Sequence, residues 1–236
     1  MRLRRLKDCR EYTIDAQGTD IGRVRGFYFD DLYWTIRYIV VATGAMPGGR
    51  EVLISTAAAK SRAWGPLHIR VNLRWEQVER APSVNLRQPI SRQSEIEQHN
   101  HYGWPYYWDQ RAANADIETH LRSSEEVTGY KVAVVDGEIG KVEDFLLDDA
   151  NWKIRWAVIN TDGWLMGKRV LISPRWIRQV DWANRTMDVN LSREQIKDSP
   201  KWDPDKPVNR KYELQLHKHY QLPPYWTDIC DESGET

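Results

Sequence analysis

The chain repeats itself at a fixed offset of 118 positions. Ile21-Gly22 falls on Ile139-Gly140, Asp30-Asp31 on Asp148-Asp149, Trp34 on Trp152, and Val52-Leu53-Ile54-Ser55 on Val170-Leu171-Ile172-Ser173. The register holds without insertion as far as Tyr107-Trp108 against Tyr225-Trp226. Solenoid repeats have periods of roughly 20–50 residues, so a period this long marks two copies of a domain-sized unit, each able to bury a core. The expected organisation is a first repeat with a C-terminal arm over 1–109, a linker over 110–124, and a second repeat with its own arm over 125–236.

Within each copy the pattern reads as short strands. Glu11–Asp15 and Tyr130–Val135 open the copies. Gly22–Phe29 and Gly140–Leu147 follow a turn, with Val24 and Val142 alternating against charged neighbours. The paired aspartates break the apolar run and lead through Trp34 or Trp152 into β-branched and aromatic strands at Ile36–Ala42 and Ile154–Asn160. Each pair of strands reads as a hairpin with an acidic tip. Glu51–Ser55 and Arg169–Ser173 supply a third strand, and His68–Leu73 and Met187–Leu191 a further one. Short helices are expected at Trp75–Arg80 and Arg193–Asp198, the latter with a Ser192/Gln195 capping box. So many short strands with tight turns favour a small barrel over an open sheet. Beyond Pro89 and Pro207 each copy changes character. A polar helical arm runs into His101-Tyr102-Gly103-Trp104-Pro105-Tyr106-Tyr107-Trp108, or into His219 through Trp226.

The order Ile-Gly-x-Val, Asp-Asp, Trp-x-Ile-Arg, Val-Leu-Ile-Ser resembles the PRC-barrel family. The residues are Ile21–Val24, Asp30-Asp31, Trp34–Arg37 and Val52–Ser55, repeated at Ile139–Val142, Asp148-Asp149, Trp152–Arg155 and Val170–Ser173. That family includes the cytoplasmic domain of the photosynthetic reaction-centre H subunit and occurs in a ribosome maturation factor. The resemblance implies a mainly β fold of two tandem, pseudosymmetric small barrels with short helices and aromatic-ended helical arms. It implies no catalytic chemistry and no cofactor. Neither the membrane helix of the reaction-centre subunit nor the RNA-associated domain of the maturation factor is expected from these 236 residues.

Bulk properties narrow the function classes. Lys+Arg and Asp+Glu both number 34, so there is no global field to gather nucleic acid. No stretch reaches the roughly 20 apolar residues of a membrane span, which leaves peripheral membrane association and a cytoplasmic location as expectations. Cys9 and Cys230 do not match under the offset and read as free thiols of a reducing compartment.

The candidate sites each have a plain structural alternative. Asp30, Asp31, Asp148 and Asp149 could hold a divalent cation for a metal-dependent hydrolase. Adjacent strand residues point to opposite faces, however, and aspartate is a common turn residue, so a structural turn is expected. His99/His101 and His217/His219 stand about 200° apart if helical, which precludes chelation and suggests a surface role. Trp34 and Trp152, with Trp64 and Trp182, are expected in the barrel cores. Trp104, Tyr107 and Trp108, with Tyr225 and Trp226, are either partner-binding anchors, for a protein, small molecule or glycan, or intramolecular latches. A latch is favoured, because exposed rings of this size promote aggregation. The expectation is a non-enzymatic scaffold or adaptor for an unknown protein partner, with self-association open.

Overall fold

The computed structural model describes residues 2–44, 50–82, 84, 89–108, 119–162, 165 and 167–227. The first half contains β1 (Leu3–Arg5), α1 (Leu6–Cys9), β2 (Thr13–Ala16), β3 (Thr19–Asp30), β4 (Thr35–Ala42), β5 (Glu51–Ser55), β6 (Ala59–Trp64), β7 (His68–Val71), α2 (Trp75–Glu79) and α3 (Arg92–Tyr102). The second contains β8 (Leu121–Ser123), α4 (Ser124–Val127), β9 (Lys131–Val134), β10 (Gly137–Asp148), β11 (Ile154–Asn160), β12 (Arg169–Ile172), β13 (Ile177–Asp181), β14 (Thr186–Val189), α5 (Arg193–Asp198) and α6 (Arg210–His219). Strands take 40% of the chain and helices 23%, so the fold is mainly β, as expected.

The strands form two sheets with the same order, β5-β4-β3-β2-β7-β6 and β12-β11-β10-β9-β14-β13. In each, β2 or β9 runs parallel to the last strand of the path in chain order, β7 or β14: Thr13–Ala16 pairs with His68–Val71, and Lys131–Ala133 with Thr186–Asp188. Among the described residues no ladder joins the two ends of either path, so each expected barrel is a six-strand path without a closing ladder. β6 and β13 are additions to the sequence reading. Ala57-Ala58-Ala59-Lys60 carries no alternation that would announce a strand.

The long strands are buried on both faces, which explains their unbroken apolar runs. Residues Phe27–Asp30 are all buried, as are Tyr38–Val41. Tyr28, Tyr38, Val40 and Leu53 share one cluster with Ile90 and Leu121, against which Val84 and Tyr107 pack. Trp34 and Trp152 are only half-buried, correcting their expected place in the cores. They sit at the hairpin tips with left-handed φ of 50° and 62°. The offset-related rings inside are Tyr38 and Trp156, both 0% exposed.

The Ile-Gly pair of the repeat has a steric cause. Gly22 has φ +145°, and a Cβ there would lie 2.2 Å from the Ala42 carbonyl oxygen. Gly140 repeats this, with the Asn160 oxygen at 2.0 Å. Neighbouring strands approach too closely there for any side chain.

By internal contacts the chain divides into two compact units, residues 1–127 with 144–155, and residues 128–143 with 156–236. The first holds a feature the offset alone does not reveal. β1 runs antiparallel to the end of β10, Leu3 opposite Asp148, while β8 runs antiparallel to the end of β3, Leu121 opposite Asp30. Both partners shift by 118 (3 to 121, and 30 to 148), so the two copies exchange strands. The hairpin tips join in the same reciprocal way: Ile36 N–H donates to Trp152 O at 2.8 Å and Ile154 N–H to Trp34 O at 2.7 Å. Phe29, Trp34 and Phe145 pack around this junction with ring centroids 5.2–6.1 Å apart. The expected linker thus contains a strand, β8; residues 110–118 of it lie outside the described residues, as does Cys230. Cys9 is free and 1% exposed, and burial pushes its thiol up to about 12.

Candidate functional site

The acidic tips are occupied by internal partners. Asp30 Oδ1 accepts the N–H groups of Leu32 and Tyr33 at 2.9 and 3.2 Å, closing the turn, while its Oδ2 takes Arg37 at 2.9 Å. Asp148 does the same with Ala150 N–H (3.1 Å) and Arg155 (3.0 Å). The second carboxylate of each pair holds the exchanged strand. Asp31 accepts Arg122 Nε at 2.9 Å and faces His120 Nδ1 at 3.0 Å; Asp149 accepts Arg4 Nε at 3.0 Å and the Arg2 amide at 2.7 Å. Each carboxylate therefore has a guanidinium where a cation site would put a metal. No group of three ligating side chains occurs among the described residues.

The arms carry a denser arrangement. Ser91 caps α3 by accepting the Ser94 N–H at 3.2 Å, and Gly103 ends it in the left-handed conformation. Arg92, Glu95 and His99 fall at i, i+3 and i+7, one helical face, and are buried together. The Glu95 carboxylate accepts Arg92 Nη1 at 2.7 Å, Tyr38 OH at 2.8 Å and Tyr107 OH at 2.5 Å. His99 stands 2.8 Å from the Tyr38 hydroxyl through Nε2 and 3.0 Å from the Pro105 carbonyl through Nδ1. A carbonyl only accepts, so Nδ1 carries the proton, and the Tyr38 hydrogen lies between His99 Nε2 and Glu95. Burial raises the Glu95 pKa against the opposing pull of its hydrogen-bond donors, and burial lowers that of His99.

The aromatic arm residues gather on this network. Trp108 meets His99 edge-on at 4.9 Å, and the Arg92 guanidinium lies 4.2 Å from its ring centre. Tyr107 covers Arg37 at 4.2 Å. Trp104 stacks on Tyr102 at 4.1 Å. In the second copy Tyr225 OH donates to Glu213 at 2.8 Å and Trp226 lies under Arg210 at 3.7 Å. All five rings are half-buried.

One substitution separates the copies. Trp156 replaces Tyr38, and its indole N–H still donates to Glu213, at 3.1 Å. That single N–H is committed to Glu213, so the second copy has no hydroxyl donor like the one Tyr38 offers His99. His217 is 2% exposed, and no side chain among the described residues hydrogen-bonds its ring nitrogens. Its pKa is lowered by burial and by the charges of Arg175 and Arg210.

The expected surface role of the histidine pairs is therefore corrected for His99 and His217, both buried because the arm helix turns this face onto its sheet. Their neighbours bond backbone carbonyls, His101 to Gln77 and His219 to Gln195, each at 2.7 Å. Tyr38, Arg92 and Glu95 escaped the sequence reading. The signal was available: Arg92/Arg210, Glu95/Glu213 and His99/His217 are all kept under the offset.

A comparison with curated proteins returns no match at a significant level. No helix among the described residues is long and apolar enough to cross a membrane. The model of the PRC-barrel domain matches residues 122–196, which contain β9 to β14. The chain carries a PRC-barrel domain over residues 122–196.

Proposed function

We propose that this protein is a non-enzymatic scaffold or adaptor built from two tandem PRC-barrel repeats, with its arms latched onto their own repeats. The common strand order supports reading residues 1–109 as a second barrel repeat beside 125–236. The carboxylate, histidine and aromatic groups of the arms are engaged with one another, which supports the latch.

The observation that carries the partner-binding reading is the tip of the first hairpin. Leu32 and Tyr33 are 62% and 67% exposed there, with Arg37 6.0 Å from the Tyr33 ring centre. Tyrosine and arginine over an apolar neighbour match the composition of binding hot spots. The offset positions of the second copy are Ala150 and Asn151. One tip is thus equipped for a contact that the other is not. The test is cross-linking and capture from the native cell with wild type and with Leu32→Ser/Tyr33→Ser. A specific partner lost in the variant is expected; equal recovery in both would reject the tip as the contact.

A further inference from the structure

Arg23 and Arg25 share the exposed face of β3, two residues apart. The pairing of β3 with β4 shifts register between Val24 and Gly26, so Arg25 sits on a bulge. Bulges re-aim side chains and concentrate beside functional sites. Across the same face Trp75, at the start of α2, is 38% exposed. Together with Asp20, Gly22 and Ala42 these residues line an open groove of about 410 Å³.

The second copy closes the same place from within. The offset partner of Arg25 is Glu143, which is bonded to Arg169 at 2.7 Å. The offset partner of Trp75 is Arg193, which donates to the Glu138 carbonyl at 2.8 Å and through its amide to Asp136 at 2.8 Å. In the first copy the polarity is inverted to Arg25 and Glu51, yet no carboxylate among the described residues lies within salt-bridge distance of Arg25. Arg23 reaches only Glu11, at 3.8 Å, with both side chains mostly in solvent. Asp20, the groove's own acid, is held on the Gly22 N–H at 3.0 Å. Trp75 has no ring contact among the described residues. Arg25, a solvent-facing Arg23 held only by its long pair with Glu11, and an indole remain where the sister repeat has spent its charges on itself.

We propose that this groove is the docking site for an extended acidic segment of a partner protein, its carboxylates on Arg23 and Arg25 and an apolar side chain on Trp75. Same-face residues of an extended chain recur every 6–7 Å or so, and Arg23 and Arg25 flank one buried residue, Val24, on the exposed face of β3. Alternating carboxylates therefore fit both cations at once, and Arg presents a fork suited to carboxylate. The inference rests on the scaffold reading and adds a second contact, separate from the hairpin tip.

The test titrates a fluorescein-labelled peptide, with Glu at alternate positions and one central Phe, with the full chain, reading anisotropy. Saturable binding is expected, weakening in about 0.5 M salt. Arg25→Glu, which installs the second copy's residue, should weaken it about tenfold or more, and Arg23→Ala and Trp75→Ala should each weaken it less. Lys141→Ala, the offset partner of Arg23, and Leu32→Ser/Tyr33→Ser should leave it unchanged. The proposal is overturned if no binding is seen, if Arg25→Glu binds as wild type with an unchanged melting profile, or if inorganic phosphate binds with the same dependence on Arg25 and displaces the peptide fully. Because the hairpin-tip variant keeps peptide binding, failure of the groove and failure of the partner reading give different results.

Discussion

Glu95→Ala probes the arm network most directly, because the offset copy provides an internal control. Glu95 is 0% exposed and its partner Arg92 6%, at 2.7 Å. Removing the carboxylate leaves a guanidinium buried without its counterion, a loss of about 3–5 kcal/mol. Tyr38 can turn its hydroxyl to His99 Nε2 and stay satisfied, while Tyr107 loses its acceptor. In the second copy Arg210 is 44% exposed and 3.4 Å from Glu213, so that pair resembles a surface pair and contributes about 0–1 kcal/mol. The cost of Glu213→Ala then comes mainly from the stranded Trp156 N–H, about 1–3 kcal/mol, since the half-buried Tyr225 can turn its hydroxyl to solvent. Urea denaturation followed by tryptophan fluorescence should show Glu95→Ala destabilising by about 2 kcal/mol more than Glu213→Ala. A double-mutant cycle with Arg92→Leu should recover much of the loss, because the unpaired charge is removed with it. Simple additivity of Glu95→Ala and Arg92→Leu, or equal costs in the two copies, would refute this account of the latch.

Acid should loosen the second arm. His217 has a lowered folded-state pKa, so its stabilisation is fully present above the ordinary histidine value of 6.5 and is lost as pH falls from there through the folded value. Trp156, Trp176, Tyr225, Trp226, Arg175 and Arg210 face it, and Arg210 is itself bonded to Glu213. His217→Phe should flatten the decline in stability between neutral and mildly acid pH, measured by denaturation; an unchanged slope would remove His217 as its source. Glu95 acts in the opposite sense, since its raised pKa makes acid favour the folded state. Gly22→Ala should cost about 3 kcal/mol through the collision with Ala42 and the left-handed φ, read as a drop in melting temperature. In a Cys230→Ser background Cys9 should react with a thiol reagent only as fast as the protein opens, since it is 1% exposed and its pKa is pushed up to about 12. Arg122→Ala should speed amide exchange in β8, because the Asp31 bond that anchors the strand is lost.

The legible part of this fold was what local chemistry decides. Strand runs, the capping box of α5 and the carboxylate-closed turns all follow from residues within a few positions of each other. The helical arms were legible for the same reason. The strand exchange was not, because β1 of one copy and β8 of the other look alike in sequence, and pairing with self or sister uses the same residues. Burial of His99 was missed because a histidine on a polar helix reads as solvated until a tyrosine from a distant strand is known to meet it. Trp34 and Trp152 misled for a related reason: large rings suggest cores, yet here Trp34 packs on Phe29 and Phe145 between two hairpins and Trp152 packs on Trp64.

The exchanged strands also set an order of events during synthesis. β1 leaves the ribosome early, and its anchor, the bond from Arg4 to Asp149, spans 145 residues. Until β10 has emerged, Leu3–Arg5 lacks the strand it pairs with in the fold, whereas β8 finds β3 already made. The first repeat can therefore assemble around β3 and recruit β8 as it appears, and pairing β1 with β10 is a later, far less local step. Translation speed across residues 124–148 then governs how long a strand-forming segment stays unpaired in the nascent chain.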